Sequence, residues 1–516
     1  MVEAQRLFQE GHLAPASQYC DQLIAAKPRA AEPRLLKSWV HMRTGDFFVA
    51  QKAVEQAASL LPTDAGVQAW AAEVCSEAGD LCAGDRFRAQ VMRLGSKEPG
   101  VLGSMAASLT SEERYEEALA YYLQLLKLRP DDSAVRLNVA YSARYTGDID
   151  LAEAELCTLL RENPTFYQAQ FALSQLQRAI PTSNYIDRFE ASLRASKDDP
   201  DARIFLGYAL GKSYEDLGEY DSAFEYYSLG AKWQKHSRAQ AAGEAALVRR
   251  VQACFRDLPP SPSGDQGAGM IFVIGLPRTG STLLDRMLGA HSRVENAGEL
   301  RSFPFVAHRQ LALPVRNIMA PELLGSLSRL DYTKLGKEYL ACLPQRMWQK
   351  GFLTDKNPLN YLYAGLIARA LPGAKIVHLR RGPMDACFSN FKQLFANGAY
   401  MYSYNLQDVG DYYGAYSSLM QLWRDTLGER FIEVRYEDLV ADTEVQLGQV
   451  LHACGLNWES GVLDFHRRKS SIGTASFAQA RQPIYATSVG KWRHFERHLQ
   501  PLEQALIQTG VDVCEL

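Results

Sequence analysis

A turn recurs through the N-terminal part of this 516-residue chain at a fixed interval of 34 residues. The phrases TGDFFVAQKA, AGDLCAGDRF, ERYEEALAYY and TGDIDLAEAE carry it. Their turn residues are Gly45, Gly79, Glu113 and Gly147, and one period earlier stands Gly11. Five residues after each turn comes a small residue: Ala16, Ala50, Gly84, Ala118 and Ala152. A small side chain there lets the second helix of a hairpin press against the first. Seventeen residues after the turn come Pro28, Pro62, Ser96, Pro130 and Pro164. Proline there ends the second helix, because it has no N–H for the preceding turn. A helical hairpin of this size cannot bury its apolar face alone, so the pattern predicts a stacked array, an all-α solenoid.

The period and its turn, small-residue and proline positions resemble the tetratricopeptide repeat (TPR). The tract 167–200 breaks the phase and holds the loop-like strings AIPTSNY and SKDDP. A further unit follows at 217–233, where Gly218 and Ala223 keep the five-residue offset. The resemblance implies a groove for a protein or peptide partner. Tyr121, Tyr122, Tyr226 and Tyr227 stand at helical spacing, which predicts packing between helices rather than a binding surface.

Composition excludes several classes. At 47% hydrophobic the chain is not disordered, and its length allows two or more cores. Residues 1–250 hold 28 Lys and Arg against 34 Asp and Glu; residues 251–516 hold 28 against 25. The second half is mildly cationic, which suits an anionic ligand but not a nucleic-acid binder. Nine scattered cysteines without a CxxC pair point to a reducing compartment and no metal site. No secretory leader or membrane span is expected, so the expected location is cytoplasmic.

Residues 257–269, DLPPSPSGDQGAG, read as a loop and the best domain boundary. The expected division is a repeat domain over 1–240, a linker over 241–268 and a second domain over 269–516. That domain opens with MIFVIGLPRTGSTLLDRMLGAH. Met270–Ile274 predicts a buried strand, Gly275–Ser281 a turn, and Thr282 to Ala290 a helix. Strand, glycine turn and helix N-terminus form a phosphate cradle. Gly275 and Gly280 match the P-loop spacing, but Ser281 stands where a nucleotide kinase needs lysine. That disfavours a kinase.

PRTGST resembles the 5′-phosphosulfate loop of sulfotransferases that use 3′-phosphoadenosine 5′-phosphosulfate (PAPS). The resemblance implies that Arg278, Thr279, Gly280, Ser281 and Thr282 hold the donor's 5′ end, and that Arg278 also serves catalysis. Arg381, Pro383, Asp385 and Ser389 resemble the family's 3′-phosphate motif, with Arg381 and Ser389 as ligands. ENAGELRSF places Glu299 21 residues beyond Arg278. It is similar to the general base of tyrosylprotein sulfotransferases, with His291, His308 and His378 as rival bases. Lys356, in DKNPLNY, resembles the lysine that steadies charge on the departing oxygen. By the same resemblance Tyr436, Ser476 and Lys491 contact the nucleotide. The glycine-rich RKG-type donor segment of cytosolic small-molecule enzymes is missing from the sequence.

The expected architecture is therefore an all-α TPR solenoid followed by an α/β P-loop-like sulfotransferase domain with a parallel sheet. The expected reaction moves a sulfuryl group from PAPS to a hydroxyl, with adenosine 3′,5′-bisphosphate as co-product and no metal. A protein tyrosine and a saccharide are both open as acceptor. The rival reading is a catalytically inactive TPR scaffold that binds nucleotide.

Overall fold

The computed structural model describes every residue except 238–242, 257, 259–261, 314–318, 396–399, 468–483, 485–486 and 515–516. The N-terminal region is a run of helical hairpins. Val2–Gln9 pairs with Leu13–Ala26, Glu32–Thr44 with Phe47–Leu60, Ala65–Glu77 with Leu81–Leu94, Pro99–Ser111 with Tyr115–Leu128, and Ser133–Thr146 with Ile149–Glu162. Gly45, Gly79 and Gly147 all turn with positive φ, a region that costs other residues about 1–2 kcal/mol. Asp46, Asp80 and Asp148 follow them and cap the next helix by accepting from Val49, Ala83 and Leu151 N–H. Ala16, Ala50, Ala118 and Ala152 are fully buried where the helices press together. At Gly84 even a Cβ would meet Ser76 Oγ at 2.7 Å, because buried Arg88 fills that space.

The out-of-phase tract is less irregular than its composition predicts. Its two loop-like strings connect helices Tyr167–Ser174, Ile186–Ala195 and Pro200–Leu217. Phe189 and Leu193 bury one face of the middle helix. The last repeat pairs Pro200–Leu217 with Tyr220–Ser237. The segment expected as linker also holds a helix, Glu244–Arg256. Its Val248, Val251 and Phe255 recur on one face and are buried, with Phe255 edge-on to Trp423 at 5.2 Å. That helix belongs to the second domain's packing.

The second domain is built on five parallel strands: β1 (Met270–Ile274), β2 (Val294–Asn296), β3 (Phe352–Asp355), β4 (Lys375–Arg380) and β5 (Phe431–Arg435). Their order is β2-β3-β1-β4-β5. β1 is buried along its whole length. Phe272 packs with Phe303 and Tyr339 on one face, while Ile271 and Val273 join Leu284, Met287 and Leu288 on the other. The chain leaves β1 toward one edge and later returns to its other side, so a crevice opens at the carboxyl ends of β1 and β4.

The repeats lie against this carboxyl-end side. Arg301 pairs with Glu77 at 2.6 Å, and Ser302 Oγ donates to Gly79 O at 2.6 Å. Arg346 bridges to Asp85 at 2.8 Å. Tyr208 donates to Phe391 O at 3.3 Å. Among the described residues no helix is long and apolar enough to cross a membrane.

Candidate active site

β1 runs into Gly275, where a Cβ would sit 2.5 Å from Leu379 O on β4. The turn continues through Arg278, itself at φ 66°, to Gly280 at φ 102°. Gly280 lies so close to the Tyr436 ring that a Cβ would approach it to 2.6 Å. Thr279 Oγ1 donates to Leu276 O at 2.7 Å and closes the turn. Helix Ser281–Ala290 starts there without a side-chain cap. A helix N-terminus of this kind favours an anion through its N–H groups and its dipole.

Arg381 leaves the end of β4 and is mostly buried. Its Nη1 donates to Arg278 O at 3.1 Å and its Nη2 to Ser488 O. Its guanidinium lies 5.0 Å from the Tyr436 ring centre. Its Nε is buried without a hydrogen-bond partner among the described residues. Such a donor is costly unless something pairs with it. Asp385 lies 3.7 Å from Arg381 Nη2 and also holds a neighbouring segment. It accepts from Gly490 N at 2.6 Å and Trp492 N at 3.2 Å, which fastens the Lys491 segment over the helix Pro383–Phe391.

These parts share a cleft of about 830 Å³. Of the expected ligands, Arg278, Gly280, Arg381, Ser389, Tyr436 and Lys491 line it. Thr279, Ser281 and Thr282 are buried in the loop and helix start beneath. Ser476 falls outside the described residues. The cleft also has walls that sequence motifs did not point to: Lys392, three residues after Ser389, and Arg144, Arg178, Lys212 and Glu215 from the repeats. Lys392 pairs with Glu215 at 2.5 Å. Burial alone would push the Glu215 carboxyl up, but Lys392 outweighs it and holds it below the usual range. The cleft's cations outnumber its acids, as a doubly anionic ligand needs.

Beside the cleft, at the ends of β2 and β3, lies a second group. Asp355 pairs in register with Phe272, so Lys356 leaves β3 next to the point where β1 enters its turn. Lys356 is nearly fully buried, and its Nζ pairs with Glu299 Oε1. Glu299 keeps 35% of its side chain exposed, so one member of the pair stays reachable. Lys356 N donates to Gly298 O at 3.0 Å, which ties the two loops together. Burial opposes the lysine's charge, but Glu299, Glu113 and Asp285 outweigh it and raise its pKa. Asp285 is pushed up by burial, although it accepts from Thr354 Oγ1 at 2.6 Å and Asn296 Nδ2 at 2.9 Å. Glu299 and Lys356 do not line the 830 Å³ cleft itself.

The rival histidines have structural partners. His291 meets Asn457 O at 3.0 Å, and His308 meets Pro304 O at 2.7 Å. His378 lies between Tyr416 and Glu433, at 2.5 and 3.2 Å. Burial lowers the pKa of both His308 and His378.

Fold and site together define an α/β domain with a cation-rich cleft at the carboxyl ends of its strands, set against a helical repeat array. Residues 270–460 match the sulfotransferase family, and residues 101–132 and 208–236 match the tetratricopeptide repeat. The chain thus joins tetratricopeptide repeats to a sulfotransferase-family domain. It is 27% identical over 391 residues to an uncharacterized protein of Aquifex aeolicus (strain VF5), covering 72% of this chain and 49% of that one. It is 22% identical over 254 residues to a protein-tyrosine sulfotransferase of Drosophila melanogaster, covering 47% and 49%. The chain spans about half the length of these two relatives. Among solved structures, the sulfotransferase domain of the Synechococcus PCC 7002 olefin synthase is similar at 21% identity and a TM-score of 0.34, covering 50% of this chain and 97% of that one.

Proposed function

We propose that the chain is a PAPS-dependent sulfotransferase that moves a sulfuryl group to a hydroxyl acceptor. The observation that carries this reading is the orphaned Arg381 Nε in a cation-rich cleft whose floor is an uncapped helix N-terminus. PAPS would supply an activated sulfuryl group at its 5′ end and a second phosphate at its 3′ position. In this reading Arg278 and the Thr279–Thr282 backbone and hydroxyls hold the 5′ end. Arg381 and Ser389 hold the 3′-phosphate, with Tyr436 stacked under the guanidinium and Lys491 at the rim. Ser476 remains proposed as a donor contact.

While Lys356 and Asp285 are buried, Glu299 keeps 35% of its side chain exposed. It takes the proton of the acceptor hydroxyl. Lys356, kept charged by three carboxylates, steadies negative charge on the departing oxygen. We read 1–240 as the repeat domain and 269–516 as the transferase domain, with 241–268 connecting them and its helix Glu244–Arg256 packed on the latter. The repeats present a protein or peptide partner, and the name of the Drosophila relative makes a tyrosine the first acceptor to test.

The test has two arms. Calorimetry with adenosine 3′,5′-bisphosphate measures donor-site binding. Labelled PAPS is then incubated with the protein, a tyrosine peptide and a host lysate. Label in protein supports the tyrosine reading, and label in glycan moves the acceptor to a saccharide. Binding without transfer to any acceptor makes the protein a nucleotide-binding scaffold and overturns the proposal.

A further inference from the structure

One turn of the period loses both its glycine and its aspartate cap, whereas Gly11-His12 keeps the left-handed glycine and lacks only the cap. Gly45-Asp46, Gly79-Asp80 and Gly147-Asp148 share one turn chemistry: a left-handed glycine, then an aspartate cap. The corresponding pair in the fourth hairpin is Glu113-Arg114. Glu113 keeps the left-handed backbone, at φ 57°, without being glycine. Arg114 caps nothing with its side chain. Both local preferences are given up at one turn, and functional sites are where such rules yield.

The Glu113 side chain crosses to the sulfotransferase domain. Its Oε2 lies where an added Cβ on Gly298 would come within 2.5 Å. Its carboxylate accepts the Glu299 backbone N–H. It also faces Lys356, with Asp285 beyond it. On the repeat side Tyr115 and Tyr145, with ring centres 4.5 Å apart, lie within electrostatic reach of both glutamates. The facing groups are thus Glu299 and Lys356 from the loops after β2 and β3, Asp285 from helix Ser281–Ala290, and two tyrosines from the repeats. Burial and the Glu299 charge push the Glu113 carboxyl up.

We propose that Glu113 is a positioning residue for sulfuryl transfer: a turn of the repeat array holds the Glu299 backbone and shares Lys356 with it. The repeats then complete the catalytic group rather than only recruiting a partner. This rests on the sulfotransferase reading above.

The full-length protein is compared with Glu113→Gly and Glu113→Gln. Glu113→Gly restores the glycine of the period, so its thermal midpoint stays at or above that of the parent. Adenosine 3′,5′-bisphosphate affinity, read by calorimetry, stays within about 2-fold, because Glu113 does not line the donor cleft. Turnover of labelled PAPS with a tyrosine peptide, or with the lysate fraction that takes label, falls on the order of 10²-fold, as misplacement of a reacting group predicts. Glu113→Gln keeps an oxygen for the Glu299 N–H but loses the carboxylate. It retains more turnover than Glu113→Gly, and in both variants the loss falls on kcat rather than on KM. A mere docking contact would not give that split or that rescue by the conservative variant. Parent-like kcat in both variants overturns the inference alone. No transfer by the parent protein overturns the sulfotransferase reading and this inference with it.

Discussion

Replacing Lys356 by methionine isolates what the lysine does. Methionine has nearly the same length and no charge. The change leaves Glu299, Glu113 and Asp285 facing one another with their shared cation removed. Breaking a buried ion pair from one side costs about 3–5 kcal/mol. The lower end applies here. Glu299 is 35% exposed and can regain water, and Asp285 keeps its bonds to Thr354 and Asn296. At roughly 2–4 °C per kcal/mol for a domain of this size, a cost of about 3 kcal/mol lowers the thermal midpoint by roughly 6–12 °C at pH 8. The pH sign follows from burial. Glu113 and Asp285 are already pushed up in the parent, and loss of the lysine pushes them further. The native state then binds more protons than the unfolded chain, so stability falls as pH rises and returns on acidification. The midpoint gap between parent and Lys356→Met therefore narrows from pH 8 to pH 5.5, measured by scanning fluorimetry in one buffer series. Adenosine 3′,5′-bisphosphate still binds, while kcat falls by about 10²–10³-fold. A gap that is unchanged across this range, or under about 2 °C at pH 8, refutes the shared-cation argument.

Three other substitutions separate the parts of the site. Arg381→Ala weakens adenosine 3′,5′-bisphosphate binding by about 10–100-fold, as removal of charge-assisted hydrogen bonds predicts, and calorimetry reads it. Glu299→Gln leaves that affinity in place and lowers turnover of labelled PAPS by about 10²–10⁴-fold. Near-parent turnover would remove Glu299 from the role of base. Gly84→Ala puts a Cβ 2.7 Å from Ser76 Oγ and destabilises the repeats by about 1–3 kcal/mol, seen as a lower denaturation midpoint with the nucleotide affinity retained.

Elements set by local chemistry were legible before folding. Met270–Ile274 is an uninterrupted apolar run, and the strand has those bounds. The turn positions, with a small residue five places on and a proline seventeen on, announce the hairpins one by one. The helix Glu244–Arg256 was hidden because the neighbouring Pro, Ser and Gly of 257–269 dominate the composition. Its signal was present in the spacing of Val248, Val251 and Phe255. For the cleft, motifs pointed to Arg278, Arg381, Ser389, Tyr436 and Lys491, whose side chains share it. Glu215, Arg178 and Lys212 were not legible, because helical periodicity alone does not say which turn of a solenoid another domain will cover. Lys392 stands three residues beyond Ser389, where nothing in the motif distinguishes it from a solvated lysine.

Exceptions to the period carry information that its regular positions do not. Regular positions serve stacking, and every hairpin solves that problem in the same way. Gly84, Glu113 and Arg114 depart from it, and all lie in the third and fourth hairpins. These are the hairpins whose Glu77, Gly79, Asp85 and Glu112 meet Arg301, Ser302 and Arg346 of the other domain. Gly84 makes room for buried Arg88, which holds Asp85 and Glu112 at 2.6 and 2.8 Å. Those two carboxylates in turn receive Arg346, and Arg114 adds to Asp85 at 2.9 Å. Gly84 and Arg114 thus belong to one charge network, and Glu113, between Glu112 and Arg114 in the chain, turns instead to Gly298 beside the Glu299–Lys356 pair. The Gly79 turn meets the same loop at Ser302 and keeps its glycine and cap, so contact with the other domain alone does not require their loss; the turn at Glu113 gives up both where it reaches Gly298, beside the Glu299–Lys356 pair.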